Sequence, residues 1–110
     1  MSDDYTPRQV ATMLEQDDIQ LIDVRTAPEH EAGHIAGGRW VELTDLPAQA
    51  GTIDRDRPVV FYCRSGARSG MATEALRQAG YDAHNMIGGL LEWDAAALPL
   101  EPADGRVADH

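Results

Sequence analysis

The run Pro58-Val59-Val60-Phe61-Tyr62 is apolar at every position and gives way, after a single cysteine, to a helical pattern. A strand with one wet face alternates apolar and polar residues, so a strand that is apolar throughout must be covered on both faces. The same alternation of strand and helix runs along the whole chain. Branched residues in Ile19-Gln20-Leu21-Ile22-Asp23-Val24 predict a strand over 19–24, and further strands are expected over 39–42 and 82–87. Thr6-Pro7-Arg8-Gln9 opens a helix: Thr6 caps, Pro7 suits the first position, and Gln9 completes a capping box ahead of Val10, Met13 and Leu14. Ala27-Pro28-Glu29 opens a second helix that Gly33 ends, and a third is expected over 43–50, with Thr44 as a candidate cap and Gly51 as its stop. After Cys63 a helix carries Met71, Ala72, Ala75, Leu76 and Ala79 on one face and closes at Gly80. Gly88-Gly89 then leads a helix with Leu90, Leu91 and Trp93. These elements predict an α/β domain: a parallel sheet sandwiched by helices, with right-handed crossovers. In such sheets ligands lie beyond the carboxyl ends of the strands, where Cys63 falls.

At 110 residues the chain predicts one domain, over 1–100, followed by a loose tail over 101–110. The net charge of −10 argues against nucleic acid and anionic membrane surfaces as partners, since both need a basic footprint. One cysteine excludes an internal disulfide. The acidic start Met1-Ser2-Asp3-Asp4-Tyr5 lacks an apolar leader, and no apolar run is long enough to span a bilayer, so a cytoplasmic protein is expected.

Cys63 heads the run Cys63-Arg64-Ser65-Gly66-Ala67-Arg68-Ser69. A free cysteine after an apolar strand also fits the role of a small buried hydrophobe. The Arg-Ser-Gly-Ala-Arg sequel favours a reactive thiol, because only the thiolate attacks and these residues support an anion. Successive N–H groups of the turn Arg64 to Arg68 form a nest, the next helix presents its positive end, and Arg64 and Arg68 add full charges. Lowering the thiol pKa by about two units requires roughly 2.7 kcal/mol of preferential stabilisation of the anion. None of the four histidines (His30, His34, His84 and His110) lies in the motif, so a cysteine–histidine dyad has no signal, and an ionised nucleophile needs no base.

The chain resembles a single-domain rhodanese. The resemblance rests on Leu21-Ile22-Asp23-Val24-Arg25, Glu29, Gly33-His34-Ile35-Ala36-Gly37, Val60-Phe61-Tyr62 with the Cys63 to Ser69 loop, and Gly88-Gly89 with Trp93, in the family's order over about residues 5 to 98. It implies a rhodanese-like fold with a central five-stranded parallel sheet and helices on both faces. It also implies a thiosulfate sulfurtransferase without a cofactor. Cys63 would take the outer sulfur of thiosulfate or a similar donor as a persulfide and pass it to a thiophilic acceptor, cyanide or a thiol. A non-enzymatic module relaying sulfur to one protein acceptor is the alternative. By the same resemblance Arg64, Ser65, Gly66, Ala67 and Arg68 cradle the donor or persulfide, with Arg64 on the sulfonate and Arg68 anchoring the loop. Asp23, Arg25, Glu29 and Ser69 provide structural support.

Phosphatases and arsenate reductases of related fold carry a Cys-x5-Arg loop that surrounds a phosphate. Here Cys63 to Arg68 is one residue shorter, which favours sulfur. His30-Glu31-Ala32-Gly33-His34 matches the H-E-x-x-H pattern of zinc proteases, but Gly33 breaks the helix that this chemistry needs, so no metal is expected.

Overall fold

The computed structural model describes residues 3–109. Met1 and Ser2, from the segment read as lacking a leader, and His110, last in the expected tail, lie outside the described residues. The elements run α1 (Pro7–Glu15), β1 (Gln20–Asp23), α2 (Ala27–Ala32), β2 (Arg39–Trp40), α3 (Leu46–Gln49), β3 (Val59–Tyr62), α4 (Ala67–Gln78), β4 (Ala83–Asn85) and α5 (Gly89–Ala95).

Among the described residues the sheet has four parallel strands, in the order β2-β1-β3-β4. The expected fifth strand is reduced to a single parallel bridge between Tyr5 and Met86 at the β4 edge. The Tyr5 N–H donates to the Asn85 carbonyl at 3.0 Å and the Ile87 N–H to the Tyr5 carbonyl at 2.8 Å. There the pairing stops, because α1 begins at once. The Thr6 N–H is taken by the Gln9 side chain at 2.9 Å, and Pro7 has no N–H to give. On the other side of Tyr5, the Asn85 N–H is met by the Asp4 side chain instead of by main chain.

The helix expected over 43–50 is broken into the 3-10 turn Leu43–Asp45, the four-residue α3 and the 3-10 turn Ala50–Thr52. Pro47 in the first turn of α3 explains the restart, since a proline cannot continue a helix already under way. Thr44 lies inside the first of these turns and caps nothing.

All four residues of β3 are buried, and they alternate between two cores. Val59 and Phe61 face α3 and α4 with Ile22, Leu46, Ala72 and Leu76. Val60 and Tyr62 face α1 and α5 with Val10, Leu21, Leu90 and Trp93. Cys63 continues the first face just past the strand end. The segment read as a loose tail packs back on the domain: the Glu101 and His34 main chains exchange hydrogen bonds, and the Arg106 N–H donates to the Ala32 carbonyl at 2.9 Å. No helix among the described residues is long and apolar enough to cross a membrane.

Candidate active site

Cys63 is only 1% exposed, which alone would fit a packing role. Its sulfur, however, sits among hydrogen-bond donors. The Gly66 N–H donates to Sγ at 3.1 Å and the Ser69 N–H at 3.4 Å, while the Ser69 hydroxyl oxygen lies 3.3 Å from Sγ. Burial pushes the thiol pKa up; the Ser69 hydroxyl and the main-chain N–H groups of Ser69, Gly66 and Ser65 pull it down, and the net effect is a thiol more acidic than usual.

The chain makes this cup by turning sharply at Gly66, whose φ of +102° lies in the region that L side chains avoid. The turn aims the Gly66 N–H back at the sulfur it has just passed. Helix α4 then begins at Ala67, so the Ser69 N–H belongs to its first turn and has no carbonyl within the helix to serve. The start of the loop is held by α5. The Leu90 N–H donates to the Cys63 carbonyl at 2.8 Å and the Leu91 N–H to the Arg64 carbonyl at 3.0 Å. This contact needs Gly89: a Cβ there would stand 2.5 Å from the Arg64 carbonyl oxygen.

Neither arginine of the loop bonds the sulfur. Arg68 forms two bonds of 2.8 Å with the Glu29 carboxylate and so anchors α4 to α2. Its guanidinium holds the buried Glu29 carboxyl down to about 2; burial opposes this, and Thr26 adds to it. Arg64 reaches Asp109, Nη2 to Oδ1 at 3.1 Å, and its buried Nε has no hydrogen-bond partner among the described residues. Ser65 and Ala67 complete the turn.

Asp23 and Arg25 form a buried pair at the end of β1, with Arg25 Nε and Nη2 donating to the two Asp23 carboxylate oxygens at 2.9 and 2.8 Å. Arg25 also donates to the Gly33 carbonyl and lies over the Tyr62 ring. Burial works against the Arg25 charge, but the Asp23 bonds outweigh it and the guanidinium pKa rises. The Tyr62 hydroxyl accepts from the Ile35 N–H, and burial next to Asp23 raises its pKa.

His30 and His34, the ends of the zinc-like motif, stack with ring centroids 3.9 Å apart. His30 Nδ1 is engaged by Asp23 and His34 Nδ1 by the His30 carbonyl. Among the described residues no group of three His, Cys, Asp or Glu side chains could hold a metal ion.

Asn85 had no place in the sequence reading. From the end of β4 its Nδ2 donates to the Gly66 carbonyl at 3.1 Å, and its Oδ1 lies 2.6 Å from the Ser69 hydroxyl. No local sequence signal marks it, because the short strand it closes, Ala83-His84-Asn85, already carries a polar side chain.

A parallel α/β sheet with a cysteine loop between its third strand and fourth helix defines a class of protein. Residues 6–96 match the family described as Rhodanese-like domain, and the chain belongs to that family. It is 36% identical over 94 residues to a sulfurtransferase of Allochromatium vinosum, covering 84% of this chain and 88% of that protein. It is 30% identical over 103 residues to the thiosulfate sulfurtransferase GlpE of Actinobacillus succinogenes, covering 93% of each. The crystal structure of a rhodanese-related protein from Thermoplasma volcanium superposes with a TM-score of 0.82 at 24% identity, covering 88% of this chain and 95% of that one.

Proposed function

We propose that this protein is a sulfurtransferase that moves sulfane sulfur from thiosulfate, or a similar anionic donor, to a thiophilic acceptor through a persulfide on Cys63. The Cys63 thiolate attacks the outer sulfur of thiosulfate. A new S–S bond forms as the donor's own S–S bond breaks, and sulfite leaves with the electron pair. Cyanide or an acceptor thiolate then attacks the outer sulfur, and the Cys63 thiolate leaves. The electrons balance without an oxidant or a cofactor.

The observation that carries this reading is the set of N–H donors aimed at the sulfur of Cys63. Such a cup stabilises an anion both before attack and on the return step, when the thiolate is the leaving group. Arg64, next to Cys63 in the chain and with no hydrogen-bond partner for its Nε among the described residues, is the cation suited to the sulfonate end of the donor. The four-residue spacing between Cys63 and Arg68 favours sulfur over phosphate as the loop's guest.

Intact-protein mass spectrometry after incubation with thiosulfate tests the first half-reaction. The expected result is a gain of one sulfur atom that cyanide removes and that Cys63→Ala lacks. A Cys63 that alkylates normally but gains no sulfur overturns the reading. Loading from thiosulfate with feeble turnover on cyanide and small thiols would point to a protein acceptor.

A further inference from the structure

The Ser69 hydroxyl faces two acceptors and owns one proton. Sγ of Cys63 is 3.3 Å from Ser69 Oγ, and Oδ1 of Asn85 is 2.6 Å from it. The amide orientation is fixed, because Nδ2 donates to the Gly66 carbonyl and Oδ1 therefore carries no hydrogen. The shorter contact takes the proton while the sulfur is neutral, and the thiol then donates its own proton to Ser69. When the sulfur ionises, the hydroxyl can turn onto it only by abandoning Asn85. We propose that Asn85 is a positioning residue that competes with the Cys63 sulfur for the single proton of the Ser69 hydroxyl and thereby limits how firmly the sulfur holds its negative charge.

This restraint has a chemical use. The intrinsic nucleophilicity of a thiolate falls as its basicity falls, so a sulfur stabilised too well attacks slowly even when fully ionised. The amide's second bond is the less critical one. The Gly66 carbonyl also accepts from the Gly70 N–H at 2.9 Å, so the turn stays closed without Asn85. The charged and titratable groups around the site are engaged elsewhere: Arg68 with Glu29, Arg25 and His30 with Asp23, and Arg64 with Asp109. Beside Asn85, Asp4 pairs with Arg77 of α4, and His84 pairs with Asp82.

The test is the pH dependence of Cys63 alkylation by iodoacetamide, a neutral probe. It deepens the proposed function but does not require sulfur transfer, so the two can fail separately. In Asn85→Leu, which is nearly isosteric, the midpoint should fall by about half to one pH unit, the scale of one neutral hydrogen bond. The same substitution in a Ser69→Ala background should leave the midpoint where Ser69→Ala alone puts it. Asn85→Ala serves if the leucine disturbs packing, and its midpoint should fall as well. A midpoint that stays or rises, or a fall that persists without the Ser69 hydroxyl, overturns the proposal. Loss of folding in both Asn85 variants would also overturn it, by making the residue structural.

Discussion

The Arg68 guanidinium and the Glu29 carboxylate meet side by side through two bonds of 2.8 Å, joining the helix that follows the cysteine loop to the helix that follows the first strand. Glu29 is 1% exposed, so water screens the carboxylate side of this ion pair poorly, while Arg68 keeps some contact with solvent. It fixes the first turn of α4, and with it the Ser69 N–H that points at the sulfur.

Stability should therefore depend on acid in a defined window. The Glu29 carboxyl titrates near 2 in the folded protein against an ordinary value of 4.5. A depressed carboxyl contributes fully above its unfolded value and loses that contribution as pH falls from 4.5 toward 2. Glu29→Gln should cost on the order of 2 kcal/mol at neutral pH, discounted because Arg68 is partly exposed, and should flatten this acid limb. Urea unfolding at a series of pH values checks both.

Asp23→Asn should be more damaging than an average core substitution. Arg25 has no exposed surface, and its Nη1 has no hydrogen-bond partner among the described residues. Removing the Asp23 charge leaves a buried guanidinium uncompensated, at a cost of about 3–5 kcal/mol. A urea midpoint within error of the parent protein would show that the guanidinium finds another partner.

Gly66→Ala should raise the pH midpoint of Cys63 alkylation and lower stability by about 1–2 kcal/mol. Space does not explain this, because the nearest atom to an added Cβ, the Gly88 nitrogen, is 3.5 Å away. The backbone does: at φ +102° an L side chain is strained, and relaxing the turn swings the Gly66 N–H off the sulfur. An unchanged midpoint would remove that N–H from the anion's support.

Arg64→Ala should weaken sulfur loading from thiosulfate more than loading from an uncharged donor such as an organic trisulfide. Among the described residues the side chain bonds the exposed Asp109 carboxylate alone, and pairs of this kind contribute little, so its loss should leave the thermal midpoint nearly unchanged. Loading rates that drop equally for both donors would deny Arg64 a charge role.

Much of this was legible along the chain. Val59 to Tyr62 announced a doubly covered strand because burial on two faces leaves no room for polar side chains. Thr6, Pro7 and Gln9 announced the first helix because capping is local chemistry, and Cys63 announced the site because the turn residues follow it directly. The missing fifth strand was less legible. Tyr5 is hydrophobic and bridges the β4 edge, but its pairing ends where the Gln9 side chain takes the Thr6 N–H, a competition that only the folded cap reveals. The third helix failed at Pro47, whose effect on the preceding turn depends on where that turn starts.

Sequence alone determined the alternation of strand and helix and the place of the cysteine loop, because these follow from neighbours within a few residues. The tertiary structure decided what surrounds the sulfur. It assigned Arg68 to Glu29, 39 residues away, and Arg64 to Asp109, 45 away; it brought Asn85 to Ser69 across a separation of 16. Such partners carry no local signature: hydrogen bonds are made between atoms that packing brings within about 3 Å, and separation along the chain does not enter their energy.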